Sequence, residues 1–148
     1  MVKPHERTLS GPKADRLQLM RECKANFSQI FGIYDGAGTK ISNVLAPVYE
    51  RTPDLDVVDD TGVRNQLWAV GDEDIIAEVQ KGMQDKYVFI ADGHHRYETA
   101  LNYRNEVRKK LGSFTGDEAF NYVMTMFVDM QEPGLVILPT HRVVLNMD

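Results

Sequence analysis

The chain has 148 residues, with 17 Lys+Arg against 22 Asp+Glu, a formal net charge of −5 and a pI of about 5.3. Hydrophobic residues at 43% and charged residues at 26% argue against disorder, and the length suits a single domain over residues 1–148 or a fragment of a larger protein. An acidic balance with no basic run disfavours DNA as a partner, and no run approaches the ~18 apolar residues that span a bilayer.

The opening Met1-Val-Lys-Pro-His-Glu-Arg lacks the apolar stretch of a secretory signal. With one cysteine, Cys23, no internal disulfide is possible, and a cytoplasmic protein is the expectation. Ser10-Gly11-Pro12 reads as a helix start, a hydroxyl N-cap followed by a proline in the first turn. Leu19, Met20, Cys23 and Phe27 then fall on one helical stripe, which makes Cys23 a packing residue rather than a reactive one. Ile30 to Tyr34 is a short strand, ended by Asp35-Gly36-Ala37-Gly38. That turn invites a phosphate reading, but an Asp-Gly pair is ordinarily a plain turn.

Lys40 to Glu50 reads weakly as a helix, spoiled in its last turn by Pro47. Asp56 to Asp59 and Val63 to Val70 form a β-hairpin turning at Asp60 to Gly62. Its cluster Asp54, Asp56, Asp59 and Asp60 suits a solvated hairpin end better than a cation site. Asp72-Glu73-Asp74 puts carboxylates at the positive end of a helix carrying Ile75, Ile76 and Val79, with Gly82 as its stop. Tyr87 to Ala91 is uniformly apolar, as in a strand buried on both faces. His95 to Leu111 has helical apolar spacing at Ala100, Leu101, Val107 and Leu111, with its Lys and Arg late, as the helix dipole prefers. Thr115 to Glu118 matches a capping box opening a short helical turn. Tyr122 to Val128 is a strand, and Pro133-Gly134 turns into Leu135 to Leu138 as its antiparallel partner; Pro139-Thr140-His141-Arg142 interrupts the pattern before Val143-Val144-Leu145. The order predicts an α/β (α+β) fold, a mixed β-sheet with flanking helices.

Most common catalytic signatures are absent: there is no zinc tetrad of Cys and His, no Walker loop, no Gly-x-Gly-x-x-Gly and no Gly-x-Ser-x-Gly elbow. One constellation stands out. A buried strand running through Asp92-Gly93 directly into a helix gathers backbone N–H groups and the positive dipole end at one point, a strand–Asp-Gly–helix anion site. Gly93 permits close backbone approach, Arg96 offers a planar fork for phosphate or carboxylate oxygens, and His94 and His95 can donate hydrogen bonds or move protons. Asp92 or Glu98 could hold Mg²⁺ or act as a base. Adjacent His94 and His95 cannot share one helix face, so a metal would need His5, His141 or the acids as well.

Phe89 to Ala100, including Asp92-Gly93-His94-His95-Arg96-Tyr97-Glu98, resembles the signature of the family known as domain of unknown function 1015. Ile137 to Val144 and Lys3-Pro4-His5-Glu6-Arg7-Thr8 also resemble that family's patterns, in the same order. Family members are longer, so the resemblance implies a central portion of such a protein. It also implies membership of the ParB-like superfamily, which includes sulfiredoxin, CTP-binding ParB proteins and free-serine kinases, and in which a Gly-x-x-Arg segment cradles nucleotide phosphates. Gly93-His94-His95-Arg96 is similar to that element, and His5, Glu6, His141 and Arg142 would complete its pocket. Cys23 lies outside the segment where sulfiredoxin carries its reactive cysteine, so sulfinate repair is not implied.

The expectation is therefore a nucleotide-binding domain of a small-molecule phosphotransferase, taking ATP, ADP or CTP with Mg²⁺. Gly93, His94, His95 and Arg96 would bind phosphate, and Asp92, His94, His95 and Glu98 would serve catalysis. The alternatives are a module that senses a nucleotide or metabolite without turnover, and a metal-dependent hydrolase built on the histidines.

Overall fold

The computed structural model of the chain describes residues 1–4, 10–138 and 141, the side chains of residues 10–12 excepted. The elements run β1 (Val2–Lys3), α1 (Ser10–Cys23), β2 (Ile30–Tyr34), α2 (Ile41–Tyr49), β3 (Leu55–Val58), β4 (Arg64–Leu67), α3 (Glu73–Met83), β5 (Val88–Asp92), α4 (His94–Leu111), a 3₁₀ turn at Ala119–Asn121, and β6 (Thr125–Asp129). Four strands form one sheet in the order β1-β5-β2-β6, and β3 and β4 pair by themselves. Since β5 is antiparallel to β2, while β1 on β5 and β6 on β2 are parallel, the sheet is mixed. The predicted α/β class is thus the observed one.

The alternation of β2 decides what the sheet covers. Ile30 and Tyr34 are buried on one face with Ile90 of β5, and Ile41 and Val48 of α2 complete the apolar core. Gly32, in the middle of β2, is required by its neighbours: a Cβ there would lie 2.8 Å from Val88 Cγ1. On the other face Phe31, Ile33 and Phe89 line an apolar groove of about 590 Å³ with Leu135, Val136 and Leu138. Phe89 is 40% exposed, so β5 is covered on one face only and not on both. The uniform run Tyr87 to Ala91 could not reveal this, because an apolar residue on the open face reads the same as one in the core.

Other expectations shift in instructive ways. α1 ends at Cys23, where Lys24 takes a left-handed conformation (φ 52°) and its N–H meets Met20 O at 2.9 Å. Phe27 therefore leaves the helical stripe and is 66% exposed, and Cys23 is exposed rather than packed. Leu135 to Leu138 is irregular chain across the open sheet face instead of an antiparallel partner, and it is β2 that β6 pairs with, in parallel. Gly82 does not stop α3, which runs on to Met83. Its service is close approach, since a Cβ there would lie 2.7 Å from Ile41 Cγ1 of α2. The apolar stretch Val143-Val144-Leu145 lies outside the described residues.

Candidate functional site

β5 ends at Asp92 and α4 begins at His94, so one residue, Gly93, makes the whole turn from strand to helix. Gly93 sits at φ 91°, ψ 25°, a left-handed conformation that costs other L-residues about 1–2 kcal/mol. Having no side chain, it leaves α4 without a side-chain cap. The register between β2 and β5 shifts beside this turn, where Phe31 pairs with Asp92 while Gly32 pairs with Ile90. The extra residue, Ala91, turns Asp92 out of the regular alternation, as bulges next to functional sites commonly do.

Arg96 folds back over the turn. A Cβ built on Gly93 would lie 2.9 Å from Arg96 Nε and 3.1 Å from its Nη2, so only glycine leaves room for the guanidinium there. Arg96 Nη2 donates to Asp92 Oδ2, and Nη1 donates to the Gln29 carbonyl and, at 2.9 Å, to Ser28 Oγ. Arg96 thus ties together the end of β5, the start of α4 and the residues leading into β2. Within the Asp92–Arg96 pair the Asp92 side chain is 72% exposed and that of Arg96 23%, so solvent reaches the pair from the carboxylate side. Ser28 and Gln29 carry no motif of their own. Only the antiparallel pairing of β2 with β5 brings the beginning of one strand beside the end of the other.

The remaining candidates divide. His94 is buried at 3% exposure, while His95 is half-buried. Glu98 meets Lys13 of α1, with Lys13 Nζ donating to Glu98 Oε2 at 2.7 Å. His141 is exposed, and His5, Glu6 and Arg142 lie outside the described residues. The structure therefore gathers Asp92, Gly93 and Arg96 at one corner, sets His94 into the interior and ties Glu98 to the α1–α4 seam. Among the described residues no group of three or more His, Cys, Asp or Glu is placed to hold a metal ion.

Beside Arg96 a cavity of about 70 Å³ opens between α1, the residues after it and α4. Arg16, Asn26, Ser28 and Thr99 contribute its polar wall. The Thr99 hydroxyl is a buried side-chain polar atom with no hydrogen-bond partner among the described residues.

The two other suggestive sequence features are satisfied internally. In the turn after β2, Ala37 N–H donates to Asp35 Oδ1 at 2.9 Å, Gly36 N–H to Asp129 Oδ1 at 3.0 Å, and Lys86 Nζ to the Ala37 carbonyl at 2.8 Å. In the β3–β4 hairpin, Asp56 accepts both Arg64 Nε and Nη2, at 2.7 and 2.5 Å. Asp59 accepts from Thr61 and Val63, and Asp54 from the Ala69 N–H. The hydrogen bonds from Arg64 hold the Asp56 carboxyl below its ordinary value, and those from Thr61 and Val63 do the same for Asp59. These acids organise a hairpin.

Glu118 has a similar local duty. It accepts the Thr115 N–H at 2.7 Å and the Gly116 N–H at 3.0 Å, and backbone hydrogen bonding lowers its pKa to about 2. This is the carboxylate half of the expected capping box, although the short helix starts only at Ala119.

No helix among the described residues is long and apolar enough to cross a membrane. No curated protein and no solved structure gives a significant match to the chain. The family model described as "Protein of unknown function (DUF1015)" matches residues 1–148. The match covers the Asp92–Arg96 corner and every element that positions it, and the chain belongs to the DUF1015 family.

Proposed function

We propose that the chain is the nucleotide-phosphate-binding part of a small-molecule phosphotransferase, and that the family falls within the ParB-like superfamily. One observation carries the reading: α4 starts at a left-handed glycine with no side-chain cap, under a guanidinium folded back over that glycine. A helix start favours negative charge, and a planar fork matches phosphate oxygens. Gly93 and the amides that follow would hold phosphate oxygens, and Arg96 would neutralise charge on the transferred group. His95, half-buried, is the imidazole that retains surface for a ligand. The exposed Asp92 carboxylate would share a Mg²⁺ ion carried in on the phosphates.

Binding without turnover is the second reading, and a specific observation favours it. Both carboxylates considered as bases are already paired, Asp92 with Arg96 and Glu98 with Lys13. To act as a base, either would have to leave its partner when substrate binds, whereas a sensor needs no base.

The test is a thermal-shift screen of ATP, ADP, CTP and pyrophosphate, with and without Mg²⁺, on the wild type and on Arg96→Gln. A ligand at 100 times its Kd stabilises by about 2.7 kcal/mol, an easily visible shift that Arg96→Gln should abolish. Absence of any shift with all four compounds would overturn both readings. ADP or AMP release in the presence of small alcohols and amino acids would select turnover over sensing.

A further inference from the structure

The cavity between α1 and α4 has features that the phosphate corner does not use. Its about 70 Å³ is several times the roughly 10–15 Å³ that one water needs, so it has room for a small organic group. Two guanidinium side chains, Arg16 and Arg96, contribute to its wall, and among the described residues no carboxylate does. In a chain with a net charge of −5, that is a local reversal of sign. Arg96 is held by Asp92, Ser28 and Gln29, whereas Arg16 makes no hydrogen bond or ion pair with any described residue. Leu19, Met20 and Phe27 supply an apolar side.

Thr99 is the independent sign of a missing partner. The residue is 1% exposed, it lines this cavity, and its hydroxyl is unsatisfied by any described residue. Buried polar groups are satisfied in the great majority of cases, because leaving one unpaired is costly. A hydroxyl can donate to a carboxylate oxygen, and a guanidinium can take the same carboxylate through two parallel hydrogen bonds.

We propose that this cavity binds a small organic carboxylate, its acid group between Arg16 and the Thr99 hydroxyl and its short hydrocarbon part against Leu19, Met20 and Phe27. A bare phosphate would leave the apolar side unused. An amine would meet the Arg16 cation, which no described carboxylate neutralises. Because Arg96 belongs to both sites, the carboxylate compound would lie next to the phosphate corner, where a phosphoryl acceptor belongs. That role as acceptor rests on the phosphotransfer reading, but the carboxylate site itself does not.

The experiment measures binding of butyrate by titration calorimetry and thermal shift, with butyramide as the uncharged isostere, butylamine as the cation and chloride as the salt control. Pyrophosphate serves as the separate probe of the Gly93 corner. Butyrate is expected to bind and the three controls are not. Arg16→Gln and Thr99→Val should each weaken butyrate at least tenfold while keeping the pyrophosphate response of the wild type. Thr99→Val should also melt higher than the wild type without ligand, since it removes the orphaned hydroxyl at nearly constant shape. Butyrate binding no tighter than butyramide, or unchanged in Arg16→Gln, would overturn the proposal. Butyrate binding without any pyrophosphate response would uphold this site and remove the phosphate reading. The converse result would remove this site alone.

Discussion

α3 and α4 begin in opposite ways. At α3 the residue before the helix is Asp72, in extended conformation, whose carboxylate accepts the Asp74 and Ile75 N–H groups at 3.1 Å each. At α4 it is Gly93, left-handed and without a side chain, with the Arg96 cation over it. A capping carboxylate occupies the place where an external anion would sit, so α3 is closed by its own chain. The start of α4 gives up the about 1 kcal/mol that such a cap contributes. It also carries a cation where the dipole favours an anion, which Asp92 offsets. An arrangement that forgoes local stability in this way accords with the binding corner proposed above.

Substitutions can break this contrast. The largest effect is expected from Gly93→Ala: the left-handed backbone should cost about 1–2 kcal/mol in urea unfolding. The added Cβ would also push the Arg96 guanidinium away, so any pyrophosphate response should go too. Asp72→Ala should cost about 1 kcal/mol in the same unfolding measurement and leave that response intact. If both substitutions alter stability and binding alike, the contrast between the two helix starts fails.

Asp92→Asn sharpens it. Freed from its carboxylate partner, Arg96 should bind Mg²⁺-free pyrophosphate more tightly, by up to about fivefold, the equivalent of an exposed ion pair of at most about 1 kcal/mol. With Mg²⁺ the gain should shrink, because the carboxylate proposed to share the ion is lost.

Glu118→Gln gives the smallest effect, since solvent reaches and screens this half-buried group. The Glu118 pKa is lowered from 4.5 to about 2, so its contribution is complete above about pH 4.5 and is lost as pH falls toward 2. The melting temperatures of wild type and variant should accordingly differ at pH 7 and converge near pH 2.

Much of this was legible in the sequence because the signals are local. The carboxylate at Asp72, the Asp92-Gly93 junction, the hairpin around Gly62 and the span of β2 each follow from residues within one turn or one strand of each other. What was not legible depends on pairing across the chain. Ser28 and Gln29 become partners of Arg96 only because β2 and β5 run antiparallel, and 67 residues separate Gln29 from Arg96. The depth of β5 was overestimated because Phe89 is apolar whether or not anything covers it. Leu135 to Leu138 has strand composition but pairs with no strand among the described residues, and α1 gave no hint that Arg16 would line a cavity with Thr99.

The carbonyl that holds Arg96 belongs to Gln29, the residue before β2, and β2 is flanked by β5 on one side and β6 on the other. A strand held on both sides exchanges its amide hydrogens last, since releasing it means dismantling the sheet. The anchor of Arg96 therefore inherits the slow opening of the whole domain. Deuterium uptake at Ile30 to Ile33 should lag far behind that of the separate β3–β4 ribbon, and the proposed binding corner should hold one standing geometry instead of assembling anew.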